Sequence, residues 1–171
     1  MVNNNKVGIV DANNRLRDEL EVSEAFNEDA SNEAVFQSLF PHYVNAFVEG
    51  VNVSVIFYGS SGSGKEYAMQ GAGPQVGIIP LVMNQVYEEL EGKKMSNPSF
   101  KFEVKIKYTE VLDEKATDLL QQGGSSSFPK SNLKIDEWEG PFIQGINWVP
   151  MSNKQQLNSF FDGGNRNKTD R

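Results

Sequence analysis

The 171 residues carry 16 basic and 23 acidic side chains, a net charge of −7, and are 38% hydrophobic and 11% aromatic. That is apolar material for one core, and 15 glycines with seven prolines are too few for a low-complexity or collagen-like chain. The lack of cysteine excludes disulfides, thiolate zinc sites and a cysteine nucleophile; nine acidic against three basic residues in positions 1–50 argue against nucleic acid or an anionic membrane as partner.

Residues 1–20 read as a polar, Asn-rich N-terminal segment with one apolar patch, Val7 to Val10, a weak strand or a loosely held start. No apolar run of the secretory kind follows Met1. A helix is predicted from Ser31 to Phe47, because Val35, Phe36, Leu39, Phe40, Tyr43 and Phe47 recur at three- and four-residue spacing. Ser31 or Asp29 caps its start, Gly50 closes it, and Pro41 predicts a kink or a break. The single histidine, His42, lies in this stretch and is expected to be structural.

Val53 to Tyr58 is apolar on both faces and predicts a buried central strand ending at Gly59. It is far short of the roughly 20 residues of a bilayer span. After a glycine-rich turn, Lys65 to Met69 reads as a short helical start, and Gly71, Gly73 and Gly77 mark a loop. Leu81 to Glu91 predicts a second helix, with Val82, Val86 and Leu90 stacked and Pro80 just ahead.

Phe100 to Tyr108 alternates strictly, with Phe100, Phe102, Val104, Ile106 and Tyr108 facing one way and Lys101, Glu103, Lys105 and Lys107 the other. This predicts a half-exposed strand with a solvated lysine face. Residues 123–127 read as a flexible loop, and Leu133 to Asp136 and Phe142 to Val149 as strands around a turn at residues 139–141. Ser152 and Gln155 form the capping box of a last helix that Gly163-Gly164 ends, with Phe160 and Phe161 in the core. Intermixed strands and helices give the class α/β.

One segment carries chemistry. Gly59-Ser60-Ser61-Gly62-Ser63-Gly64-Lys65-Glu66 fits G-x-x-x-x-G-K between a predicted strand and a helix start. The glycines let backbone amides wrap a phosphate, the helix start adds its positive end, and Lys65 reaches the outer phosphates. Glu66 departs from the pattern, which has Ser or Thr there to bind magnesium through its hydroxyl. Two unit charges 4 Å apart interact by roughly 4 kcal/mol at an effective dielectric of about 20, so a carboxylate facing a polyanion weakens binding by more than tenfold. Glu66 can ligate magnesium itself only if its longer side chain folds back.

Beyond the loop, the chain resembles the kinesin motor domain. Glu24-Ala25-Phe26 through Val35-Phe36 is similar to the family's F-x-x-V-F segment, and Pro41 with Phe47 to Val53 to its P-L-V…L-x-G-Y-N-x stretch. Ile56-Phe57-Tyr58-Gly59 resembles I-F-A-Y-G, Tyr67-Ala68-Met69-Gln70-Gly71 resembles T-Y-T-M-x-G, and Gly77-Ile78-Ile79-Pro80 matches G-I-I-P unchanged. Phe102 to Val111, Asp118-Leu119-Leu120, Lys134 to Glu137, Gly145-Ile146 and Asn165 to Thr169 continue the order. The resemblance spans residues 21–169 and implies a phosphate-loop NTPase-like motor fold, a mostly β central sheet flanked by helices, truncated within residues 21–171.

The resemblance implies ATP or ADP with magnesium held by Gly59, Ser60, Ser61, Gly62, Ser63, Gly64, Lys65, Glu66 and Tyr67, Glu66 taking the metal position. It also implies microtubules or microtubule-associated proteins as partners and a cytoplasmic, cytoskeletal location, without nucleic acid or membrane. Three departures bear on activity. Arg15-Leu16-Arg17-Asp18 lacks the proline of the family's adenine-reading R-x-R-P and lies too close to Phe26. Glu66 replaces the magnesium hydroxyl, and the family's two switch motifs have no counterpart up to Arg171. The expectation is therefore a catalytically inactive pseudo-motor that binds nucleotide weakly or not at all and serves as a binding or structural module, with a partner chain covering the open sheet. The alternative is the ATP-binding part of an active microtubule motor whose remaining half lies outside this chain.

Overall fold

Backbone pairing begins at once. In the computed structural model, which describes residues 2–3, 5–120, 126–129, 133–136, 140–146 and 148–169, β1 (Val2–Asn3), β2 (Lys6–Val10) and β3 (Leu16–Glu21) form an antiparallel sheet in that order. The β2–β3 turn is built on Asp11, whose carboxylate accepts from the backbone N–H of Asn13 at 2.8 Å and of Arg15 at 3.0 Å. Arg17 adds an ion pair at 3.0 Å. Accepting the N–H groups of Arg15 and then Asn13, with the Arg17 guanidinium assisting, holds the Asp11 carboxyl below its usual range against a smaller desolvation effect. The N-terminal segment is thus a paired meander, and β3 is an addition to the elements predicted. All six β3 residues are exposed, so neither face carries an apolar period to read.

α1 (Asn32–Val48) starts on Ser31, whose hydroxyl accepts from Ala34 N–H at 3.1 Å, and ends before Gly50 at φ 95°. Pro41 sits inside α1 without ending it. The buried stripe is Asn32, Phe36, Phe40 and Val44, strictly four residues apart; Tyr43 and Phe47 of the predicted face are half exposed, and His42 is exposed. Phe36 stacks on Phe40 with centroids 5.8 Å apart, and the two pack with Ile78, Val35, Leu39, Phe57, Leu81 and Val82. Burying each phenyl group contributes about 2–3 kcal/mol.

The predicted strand at Val53 to Tyr58 is corrected. No ladder pairs with it among the described residues, and Ile56 and Tyr58 are 84% and 97% exposed. Only Phe57 turns into the core. An apolar run becomes a buried strand when neighbours take up its N–H and C=O groups, and no described strand does so here. α2 (Lys65–Gln70) follows, then a tight hairpin of β4 (Gly71–Ala72) and β5 (Gln75–Val76) where a loop was expected. α3 (Ile78–Ser96) begins three residues before the predicted start and continues five beyond the predicted end, with Pro80 in its first turn and Lys93 and Lys94 near its C-terminus. The chain divides into two compact units, Met1–Val82 and Met83–Arg171.

In the second unit β6 (Val104–Ile106) realises the centre of the alternating segment, and exposure alternates from Lys101 to Ile106 as predicted. Lys105 pairs with Glu103 at 2.8 Å, and Lys107 lies 4.3 Å from the centroid of the Trp148 ring. β7 (Thr109–Leu112) and β8 (Lys115–Asp118) make a hairpin whose two-residue turn, Asp113-Glu114, has positive φ at both positions. Without glycine or asparagine, Asp113 is the turn's one residue of a type that favours this conformation, a weak sequence signal. β9 (Ser126–Pro129) pairs with β8, so Ser126 and Ser127 of the expected loop lie in a strand and residues 123–125 lie outside the described residues.

β10 (Leu133–Asp136) is as predicted and pairs with β11 (Gly140–Ile143), while β12 (Val149–Met151) pairs with β6. The single strand expected over Phe142 to Val149 is therefore two, parted at Gly145, where φ is 103°. Gly140 and Pro141, expected in a turn, belong to β11; Glu139 lies outside the described residues. α4 (Lys154–Arg166) is capped one residue later than predicted: Asn153 Oδ1 accepts from Gln156 N–H at 2.8 Å, and Gln156 Oε1 accepts from Ser152 N–H at 2.8 Å. Gly163 and Gly164 lie inside α4. Tyr87, Met151 and Leu157 form the core with Met83, Phe102, Val104, Ile106, Val149 and Phe160, and Phe161 is buried against Tyr108. Tyr87 Oη donates to Met151 O at 2.9 Å. Burial, and secondarily the charge of Glu91, pushes the Tyr87 phenol up.

Candidate functional site: a glycine-rich phosphate loop

The loop from Gly59 to Gly64 turns on itself because glycine permits it. Ser63 N–H donates to Ser60 O at 3.2 Å, and Gly62 and Gly64 take φ of 76° and 88°, where a side chain is strained. A Cβ on Gly59 would lie 2.5 Å from Ser63 Oγ and 3.3 Å from Ser63 Cβ, so the loop's two ends approach closely. Ala68 N–H donates to Gly64 O at 2.9 Å, which starts α2. At six residues α2 has little dipole of its own, too little to make an anion site by itself.

Lys65 Nζ donates to Gly59 O at 2.7 Å and Ser60 O at 2.6 Å, drawing the ammonium across the loop's first residues. Glu66 stands next to it, exposed in the first turn of α2, and Tyr67 is half exposed one residue on. The structure thus gathers Gly59 through Tyr67 into one continuous loop and helix turn. Lys65 and Glu66 are the only charged residues in those nine positions, so their formal charges cancel. The glycine conformations and the lysine fit a phosphate group. The magnesium position fits less well, since a carboxylate stands where the pattern has a hydroxyl. No described helix is long and apolar enough to cross a membrane.

One residue at this site was missed. Asn32 is 5% exposed, and its Nδ2 donates to Tyr67 O and to Val76 O, each at 3.1 Å. The sequence held a signal: 32, 36, 40 and 44 form one helical stripe, and a polar residue on a buried stripe needs buried partners.

A glycine-wrapped loop that leads into a lysine-bearing helix, within a mixed α/β chain, defines a phosphate-loop domain. The sequence profile of the kinesin motor domain matches residues 2–171, and the chain belongs to the kinesin motor-domain family. Human kinesin-like protein KIF13B is 31% identical over 142 residues, 82% of this chain and 7% of that protein. Human kinesin-like protein KIF18B is 34% identical over 146 residues, 84% of this chain and 16% of that protein. A solved fast kinesin superposes with a TM-score of 0.79 at 20% identity, over 97% of this chain and 46% of that one, which supports the fold. The chain therefore spans less than half of that kinesin and a sixth or less of those two relatives.

Proposed function

We propose that this chain is a kinesin motor-domain fragment whose phosphate loop binds ATP or ADP with magnesium weakly. On this reading it acts as a catalytically inactive binding or structural module of a microtubule-associated system on the cytoplasmic cytoskeleton. The observation that carries the reading is Glu66, a carboxylate in the first turn after Lys65 where the loop pattern has a magnesium-binding hydroxyl. It cancels the lysine charge locally and opposes a polyanion. Because Glu66 is exposed, the repulsion is screened to about 1–2 kcal/mol, a five- to thirtyfold loss of affinity. Microtubules or their associated proteins are the partners this reading assigns. The exposure of Ile56 and Tyr58 supports a partner chain covering this stretch.

A second reading, the ATP-binding part of an active microtubule motor, is favoured by the loop from Gly59 to Lys65, whose glycine conformations suit a phosphate. A titration of fluorescent ADP with magnesium against wild type, Glu66→Gln and Glu66→Thr separates the two. The expected result is tighter binding by about fivefold for Gln and tenfold or more for Thr. Equal affinities reject the role of Glu66. Microtubule-stimulated phosphate release by wild type, abolished in Lys65→Ala, establishes the second reading.

A further inference from the structure

The phosphate loop's helix lacks the supports that normally hold so short an element. α2 has six residues, no buried side chain and no side-chain cap. A helix of this length does not stand alone, since nucleation costs more than one turn returns. What fixes it lies at its far end. Tyr67 O accepts from Gly71 N–H and, at 3.1 Å, from Asn32 Nδ2. The same amide nitrogen donates at 3.1 Å to Val76 O on β5. Both of its hydrogens are thus used, one on α2 and one on the hairpin that follows.

Asn32 is itself anchored. It is the first residue of α1, held by the Ser31 cap, and α1 is locked by the Phe36–Phe40–Ile78 core. The backbone packs too closely around the hairpin for side chains at positions 71 and 77. A Cβ on Gly71 would collide with Gln75 O, and one on Gly77 with Met69 O and Gln70 C. The carbonyl of Tyr67 lies two residues from Lys65, within a turn of the loop.

We infer that Asn32 is a positioning residue of the phosphate loop: its side-chain amide ties α2 to the rigid start of α1 and so fixes where Lys65 and the loop amides point. The consequence for ligand binding rests on the nucleotide reading above; the tie itself does not. Deleting this buried donor takes a hydrogen bond from each carbonyl, although Tyr67 O keeps the one from Gly71 N–H, and this adds to the loss.

The test compares wild type, Asn32→Ala and Asn32→Gln in the full chain by amide hydrogen exchange and by titration with fluorescent ADP and magnesium. Asn32→Ala is expected to speed exchange at Ala68 to Gly71 by tenfold or more while the amides of α4 keep their wild-type rates. It is expected to weaken ADP binding by about tenfold, and Asn32→Gln, which keeps the two donor hydrogens, recovers part of both effects. Unchanged exchange in α2, equal acceleration in α2 and α4, or a Gln variant no better than Ala overturns the inference. A wild type that binds no ADP overturns the nucleotide reading alone, and the exchange data then decide the role of Asn32.

Discussion

Adjacent glycines in one helix should respond to alanine with opposite signs. Gly163 and Gly164 both lie within α4 at ordinary helical dihedrals. Alanine in a helix interior is favoured over glycine by about 0.5–1 kcal/mol. At Gly163 an added Cβ meets only an Arg166 guanidinium nitrogen at 3.9 Å, so the full gain remains. At Gly164 it meets the Tyr108 ring, lying 2.8 Å from Cε1 and 3.4 Å from Cγ, with Cδ1 closer still. Tyr108 cannot retreat easily: its ring stacks on Phe161 at 5.6 Å, and its hydroxyl donates to Asn165 Oδ1. Overpacking of this kind costs about 1–3 kcal/mol, which outweighs the helical gain. Gly164→Ala is expected to be destabilising by about 1–2 kcal/mol, lowering the thermal midpoint by about 3–6 °C, and Gly163→Ala to raise it by about 2 °C. Thermal unfolding followed by circular dichroism reads both. A Gly164→Ala variant as stable as wild type, or two shifts of the same sign, refutes the close packing of α4 on Tyr108.

Three more outcomes follow from named contacts. Asn153→Ala should cost about 1 kcal/mol because the side chain caps α4, whereas Ser152→Ala, which keeps the backbone N–H bonded to Gln156, should change stability by less than about 0.5 kcal/mol; denaturant titration compares them. The lowered Asp11 carboxyl favours the folded turn at pH values above its ordinary 3.8, and this contribution is lost as pH falls through the depressed folded value. Exchange at the Asn13 and Arg15 amides should therefore accelerate below that pH in wild type, and already at neutral pH in Asp11→Ala. Raising salt to about 1 M, where the Debye length is about 3 Å, should narrow the ADP affinity gap between wild type and Glu66→Gln, since that gap is electrostatic; a gap indifferent to salt would contradict the charge argument.

The α/β class, the glycine loop with Lys65, and the family were legible in the sequence because each depends on local residue type or on ordered motifs. α1 and the start of α4 were legible for the same reason, apart from details of phase. Ser31 does cap α1, but the buried stripe is turned to Asn32, Phe36, Phe40 and Val44, since what packs opposite a helix selects its inner face. The α4 cap moved by one residue because Asn153 competes successfully with Ser152 for the same role.

The segments that misled depend on partners far away in sequence. Val53 to Tyr58 has the composition of a buried strand, yet composition cannot supply a neighbouring ladder, and the run lies largely exposed. The Asp113-Glu114 turn carries only a weak signal and the exposed β3 no pattern, because their pairing is fixed by backbone hydrogen bonds. Asn32 is the clearest case. Sequence alone determined a glycine-rich loop of the phosphate-loop pattern, a lysine at its end and a carboxylate beside that lysine. Only the tertiary structure decided that a buried amide 35 positions before Tyr67 holds that loop's helix, because a side-chain donor is recognised by the carbonyls that folding brings to it.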